Sequence, residues 1–314
     1  MVKRGIASSQ PVQRVSAAIV ALPALSQRVF GGIRLSMPKA LRPAVALPES
    51  LGRIGALEVR LAVSPREVKK AQKLRYKVFY EEMSAIPDMQ AQLSRRDRDG
   101  FDKICDHLLV IDHDTRTAAG EAAIVGTYRL LRQEVASRHT GFYTASEFDI
   151  APLLERHNAL NFLELGRSCV LKPYRTKRTV ELLWHGIWSY VRSHGIDVMV
   201  GCASLEGTNP DALELPLSFL HHNARAPAEW SVSALPHRRV PMDRLPEGAI
   251  DMKAALKTLP PLIKGYLRLG AYIGDGAVID RQFGTTDVLI VLPVSAINER
   301  YVNHYGVDAT RYAA

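Results

Sequence analysis

Several charged residues of this 314-residue chain interrupt apolar runs. Arg75 lies in LRYKVFYEE (74–82), beside the apolar stripe of a helix and not opposite it. Asp99 and Asp102 stand in DRDGFDKICDHLLVID (97–112), just ahead of a strand-like run. Arg129 falls inside GTYRLL (126–131), and Glu164 and Arg167 inside ELGRSCV (164–170). A buried charge left unpaired costs several kcal/mol, so charges in such places pair. Arg75, Asp99, Asp102, Arg129, Glu164 and Arg167 are therefore expected to gather in one polar network. Both signs of charge in a cleft suit a ligand that carries carboxylate and ammonium together, as an amino acid does. A structural ion-pair network without chemistry satisfies the same pattern.

The elements that must position these residues are legible in the periodicity. Residues 57–63 alternate as a strand. Ser64-Pro65 opens a helix, with Glu67 in its first turn and Val68, Ala71, Leu74 and Val78 at helical spacing. Strand-like runs follow at His107–His113, Ala122–Leu131, Asn161–Val170 and Asp197–Ser204. A helix over about Thr179–Arg192 separates the last two and ends before His194-Gly195. Further on come a helix near Asp211–His222, two helical pieces in 251–269 split at Pro260-Pro261, and a buried strand at Asp287–Val294. Three consecutive strands and then a strand–helix–strand crossover predict a mixed sheet, an α/β chain of the α+β kind and not a doubly wound one.

The net charge of +9 is concentrated at one end. Residues 1–48 hold seven Lys or Arg and no Asp or Glu, so everything after them is close to balanced at +2. Residues 1–55 read as a basic, Pro- and Ala-rich arm and 56–314 as the folded domain, with a C-terminal extension from about 205. A basic arm suits an anionic membrane surface. Phe30 is its one aromatic residue that could stack on a base, so no nucleic acid is expected. No run of 18 apolar residues is present, and a cytoplasmic protein, peripheral at the inner face of the plasma membrane, is expected. Cys105, Cys169 and Cys202 have no paired or metal-ligand spacing and read as free thiols. His221, His222 and His237 read as loop or helix-end residues, and no metal is expected.

The four charged stretches, in this order, resemble the acyl-homoserine lactone synthase branch of the GNAT (acyl-CoA N-acyltransferase-like) fold, whose mixed sheet with flanking helices has the element order above. The chain from about residue 60 is more similar still to the L-ornithine Nα-acyltransferases of bacterial ornithine-lipid synthesis. The residues that carry this are FDKICDHLLV, ELGRSCVLKPYR, ELLWHGIW, GCASLEGTNP, LPPLIKGYLRLGA and FGTTDVLIVLP. The resemblance implies transfer of a 3-hydroxyacyl group from acyl carrier protein, held on its 4'-phosphopantetheine, to the α-amine of ornithine, with lyso-ornithine lipid as product and no cofactor. The phosphate-binding loop of the fold is usually glycine-rich; the corresponding segment reads Tyr174-Arg175-Thr176-Lys177-Arg178-Thr179. Tyr174, Arg175, Lys177 and Arg178 are the expected acyl-donor contacts, through the phosphopantetheine phosphate or the acidic carrier surface.

In this reading the amine attacks the thioester carbonyl directly. Its pKa of roughly 8 calls for a base. Glu164 is the expected base; Arg75, Arg129 and Arg167 hold the substrate carboxylate or brace the acids, and Asp99 and Asp102 hold amines. Glu164 and Arg167, three apart, cannot share one side of a regular strand. A bulge at Leu165–Arg167, permitted by Gly166, is therefore expected, with the Glu164 carboxylate within one water of an open cleft. The His107…Asp112 pair mimics a glycerolipid acyltransferase dyad, but five positions along a strand separate the two faces. The competing functions are an acyl-homoserine lactone synthase-like enzyme, a non-enzymatic module that binds membrane or acyl carrier protein, and a nucleic-acid-binding protein.

Overall fold

The computed structural model describes residues 47–83 and 85–297. Most of the expected basic arm lies outside the described residues. Its last stretch is described, and there Gly52–Ile54 already forms a strand, β1, paired antiparallel with β2 (Leu57–Leu61). Leu47 and Leu51 pack on the core beside it.

Helix α1 (Pro65–Tyr76) starts as its sequence dictates: the Ser64 hydroxyl accepts from the Glu67 amide and Pro65 occupies the first turn. It continues as a π-helical segment, Lys77–Glu82. After α2 (Met89–Ser94) come the long strands β3 (Asp106–Arg116) and β4 (Ala122–Arg132). Two short helices, α3 (Gln133–Ala136) and α4 (Ala151–Arg156), lead to β5 (Phe162–Val170). Helix α5 (Lys177–Ser193), capped by Thr176, crosses over to β6 (Val198–Glu206). The rest comprises α6 (Glu214–Ala224), β7 (Arg239–Val240), α7 (Met252–Thr258), α8 (Pro261–Leu269), β8 (Tyr272–Ile273), β9 (Ala277–Asp280) and β10 (Thr285–Pro293). The proline pair splits α7 from α8 as its missing amides require.

Among the described residues the strands form one mixed sheet in the order β1-β2-β3-β4-β5-β6-β10-β9-β7, with β8 against β10. β10 inserts beside β6 in antiparallel register over nine residue pairs. Leu108 and Val110 pack with the Leu182, Leu183 and Ile187 stripe of α5, whereas Leu109 and Ile111 pack against Ala71 of α1. The two helices thus cover opposite faces, the consequence of period-two alternation along β3.

One interruption of the sheet matters for function. The parallel pairing of β5 with β6 runs from Phe162↔Val198 through Glu164↔Val200 and stops there. At that point a Cβ on Gly201 would stand 2.3 Å from the Leu165 carbonyl oxygen, so only glycine lets the two backbones approach as they do. Beyond it β5 stays with β4 and β6 with β10, which opens a wedge between the central strands.

Candidate active site

Three arginines and three aspartates meet on the α1 face of the sheet. Arg75, 1% exposed, places Nη1 2.8 Å from Asp102 Oδ1 and Nε 2.8 Å from Asp97 Oδ2, and its Nη2 donates to the Asp97 carbonyl at 2.6 Å. Arg129 Nη1 reaches Asp99 Oδ1 at 2.6 Å and Asp102 Oδ1 at 3.5 Å. Arg167 reaches Asp99 Oδ2 at 3.3 Å and Asp97 Oδ2 at 3.4 Å. The acids are presented by one turn, Gly100–Lys103. Asp99 accepts from the Phe101 amide and Asp102 from the Asp99 amide, a reciprocal cap. Burial works to raise the Asp102 carboxyl, but the hydrogen bonds and charge of Arg75 outweigh it and bring the pKa down to about 2. Asp102 and Arg75 are thus a brace tying α1 to β3. Asp99 is different, with its side chain 26% exposed on the outer edge of the network.

Strand β5 is bulged where expected: between Thr127↔Cys169 and Arg129↔Gly166 it carries one residue more than β4. The left-handed residue, however, is Arg167 itself (φ 50°), and not Gly166. A non-glycine residue there costs about 1–2 kcal/mol. The Arg167 side chain has strong holds in compensation: two aspartates, plus the rings of Tyr143 at 5.0 Å and Phe283 at 4.7 Å. The bulge turns Arg167 onto the face that carries Arg129.

Glu164 sits directly opposite Leu131 and is the last β5 residue paired to β6. It is 5% exposed, and its oxygens accept from the backbone amides of Tyr143 (2.9 Å) and Thr144 (2.7 Å). The carboxylate is therefore buried beneath the Tyr143–Ser146 turn and does not face an open cleft, contrary to expectation. Desolvation raises its proton affinity, against the hydrogen bonds from Thr144 and Tyr143.

That turn leads to a second acid group which sequence reasoning missed. Glu147, Asp280 and Asp287 each bring a carboxylate oxygen within 4.8 Å of the other two. Burial, then the charge of Asp287, pushes Glu147 up to about 7, and burial raises Asp287 as well. Asp287 heads the apolar run DVLIVLP, the same signal of a charge in a buried strand that singled out Glu164. Asp97 stands two residues before Asp99 but was not called for, because the three arginines already had three expected acids in Asp99, Asp102 and Glu164. Tyr143 and Glu147 carry no such sequence signal.

Of the expected donor contacts, Tyr174 donates to Asp112 Oδ2 at 2.6 Å, and Arg175 pairs with Glu82 at 2.6 Å and with the Val170 carbonyl at 2.9 Å. Both are spent on holding the β5–α5 connection. Lys177 is exposed, with Glu181 at 3.6 Å, and Arg178 is exposed beside it in the first turn of α5. His107 bonds the Asp102 carbonyl and Asp112 bonds Tyr174, so the two do not meet. The three cysteines are free thiols. His221, His222 and Asp243 come together in space, a grouping their spacing did not show.

Residues 74–185, from the Arg75 helix through the middle of α5, match the acetyltransferase (GNAT) domain model. With the mixed sheet and its opening between β5 and β6, this defines an acyltransferase of the GNAT fold. The L-ornithine N(alpha)-acyltransferase of Rhizobium meliloti strain 1021 is 58% identical over 276 residues, 87% of this chain and 93% of the relative. That of Brucella abortus strain 2308 is 57% identical over 263 residues, 83% and 93% of the two chains. Among solved structures, an N-acyl amino acid synthase from uncultured soil microbes aligns over 76% of this chain and 91% of its own with 12% identity and a TM-score of 0.44, too distant to bear on the site. The chain belongs to the L-ornithine Nα-acyltransferase family. Membership sets aside the lactone synthase-like and non-enzymatic alternatives.

Proposed function

We propose that the chain transfers a 3-hydroxyacyl group from the phosphopantetheine thioester of acyl carrier protein to the α-amine of ornithine. The observation that carries this reading is the wedge after Glu164↔Val200, with Arg167 and Asp99 at its rim and acids beyond. An amino acid carboxylate is attracted to Arg167 and Arg129, and Asp99 offers a partly exposed acceptor to an amine. Arg75, Asp97 and Asp102 brace that surface from behind. Unpaired backbone amides of β5 beyond Glu164 are the donors for a thioester oxyanion. Lys177 and Arg178, at the start of the 17-residue α5, suit the phosphate of phosphopantetheine or the acidic carrier surface.

In the reaction the amine nitrogen attacks the thioester carbonyl. A C–N bond forms and the C–S bond breaks, and the proton lost by the amine ends on the departing pantetheine thiolate, which leaves as the thiol. Glu164 is the proposed proton acceptor. Its oxygens accept the Tyr143 and Thr144 amides and the Thr144 hydroxyl, three bonds on a group with about four acceptor sites, which leaves one site for a proton delivered through a water. Its raised proton affinity and its place on the last rung before the wedge support the role. The protein works in the cytoplasm, with the basic segment before residue 48 drawing it to anionic membrane. The test is direct: purified protein with 3-hydroxyacyl carrier protein and ornithine gives an amide at the α-nitrogen by mass spectrometry. Acylation confined to the δ-nitrogen, or thiol release independent of ornithine, overturns the reading.

A further inference from the structure

We propose that Glu147, Asp280 and Asp287 form a subsite for a primary ammonium group, the side-chain ammonium of the acceptor amino acid. The inference rests on the acceptor reading above and adds which residues select the acceptor.

The α1 face of the sheet carries two trios of acids. Asp97, Asp99 and Asp102 are matched by three arginines. Glu147, Asp280 and Asp287 make no ion pair with a Lys or Arg among the described residues; Arg238 and Arg167 act on Glu147 and Asp287 only at longer range. Glu147 is 1% exposed, and its Oε2 is buried with no hydrogen-bond partner. The Cys202 thiol lies within hydrogen-bond reach of that carboxylate and of the Thr144 hydroxyl, and as a weak donor with one proton it cannot serve both. Buried unpaired carboxylates are costly, and a cation that enters the trio relieves the cost.

The donors already present leave the right number of acceptors. Asp280 Oδ1 takes the Gln282 and Phe283 amides, which leaves its other oxygen. Asp287 takes the Thr285 hydroxyl on Oδ1 at 2.9 Å and the Ser204 hydroxyl as well, and its carboxylate still has lone pairs beyond these two bonds. With Glu147 Oε2 that makes three acceptors, the number of N–H donors on a primary ammonium. Three oxygens about 2.8 Å from a tetrahedral nitrogen stand about 4.6 Å apart, within the observed spacing. Ca²⁺ and Mg²⁺ call for roughly six or more oxygens, and Zn²⁺ favours His and Cys ligands. The surroundings are apolar instead: Phe148, Val278 and Leu289 belong to the core cluster beneath.

The trio also lies properly with respect to the other charge. Tyr143 has the Arg167 guanidinium 5.0 Å from its ring centre and lies within electrostatic reach of Glu147 and Asp280. A diamino acid can therefore place its carboxylate toward Arg167 and its side-chain ammonium in the trio. An ammonium held protonated by carboxylates is no nucleophile, which leaves the α-amine to react.

The experiment compares ornithine with norvaline, the same skeleton without the δ-amine, using the full chain and a 3-hydroxyacyl carrier protein donor with thiol release as readout. The wild type is expected to favour ornithine on the order of 10²-fold in kcat/KM, the size of a charged hydrogen-bonded contact. Glu147→Gln and Asp287→Asn are expected to cut that preference at least tenfold. Asp280→Asn, on the half-buried rim, does so with the least risk to folding. Without ligand, Glu147→Gln is expected to melt no lower than wild type, because it removes an unpaired buried charge. Thiol release with ornithine and an unchanged preference in all three variants overturns the subsite alone. Absence of thiol release with any amino acid overturns the acceptor reading and the subsite with it. A melting shift produced by Mg²⁺, Mn²⁺ or Ca²⁺ and not by ornithine, lost in the variants, makes the trio a metal site and overturns the inference.

Discussion

Glu164 has two jobs, and a single substitution can separate them. Glu164→Gln keeps shape and one of the two amide bonds, because its NH2 replaces the oxygen that accepted the other, and it cannot take a proton. The maximal rate is expected to fall roughly 10²-fold or more, with partial rescue as pH rises and more amine arrives neutral. Steady-state rates from pH 7 to 9 with a parallel melt check this; normal folding with near-wild-type turnover removes Glu164 from the chemistry. Glu147 makes a second, independent prediction. The folded state raises its pKa from 4.5 to about 7, so the native protein keeps a proton that the unfolded chain gives up. Stability therefore falls as pH rises from 4.5 to about 7 and stays lower above, by on the order of 3 kcal/mol. Asp287 acts in the same direction, whereas His107 and His194, held low by burial, act in the opposite one. The informative quantity is thus the difference between wild type and Glu147→Gln in denaturant unfolding at pH 5 and pH 8. An equal difference at both pH values would mean that Glu147 ionises normally.

Among the elements, β5 decides the geometry of the site. Its bulge aims Arg167, and its parting from β6 provides the wedge. Gly201 sets where that parting starts. Gly201→Ala places a methyl 2.3 Å from the Leu165 carbonyl, a contact with backbone that must be relieved by moving a strand. We expect a loss of about 1–3 kcal/mol in urea unfolding, as for other overpacked core positions, together with loss of activity. A variant as stable and active as wild type would show that the wedge tolerates displacement. The six longer strands and the long helices were legible in advance because their apolar periodicity is strong. β1, β7, β8 and β9 were not, because two to four residues give no period, and α2, α3 and α4 are too short to show one.

Across the whole molecule, charge is divided by position. Removing residues 1–46 takes away seven positive charges and no negative ones, while leaving Leu47 and Leu51 on the core. The truncated protein is expected to keep its activity on soluble donors. It should bind phosphatidylserine vesicles more weakly, and with less dependence on salt, than the full chain. Cosedimentation at 50 and 300 mM salt (about 14 and 6 Å Debye length) checks both points. Unchanged binding would move the membrane contact into the folded domain.

The sequence by itself determined the mixed sheet, the crossover helix, the family and five of the six charges that meet on the α1 face, Glu164 having been expected among them and lying apart. Each of these follows from short-range pattern or from long runs of matching residues. Tertiary structure alone decided which charge meets which. Asp97, two residues ahead of the turn that carries Asp99 and Asp102, completes the neutral set because three buried guanidiniums require three carboxylates. Arg167, and not its glycine neighbour, takes the left-handed conformation because aspartates and rings hold its side chain there. Glu164 lies under a turn instead of in a cleft because the Tyr143 and Thr144 amides need an acceptor. Glu147, Asp280 and Asp287 are more than 130 residues apart at their widest and meet only because β10 inserts beside β6, a long-range pairing that no local pattern encodes.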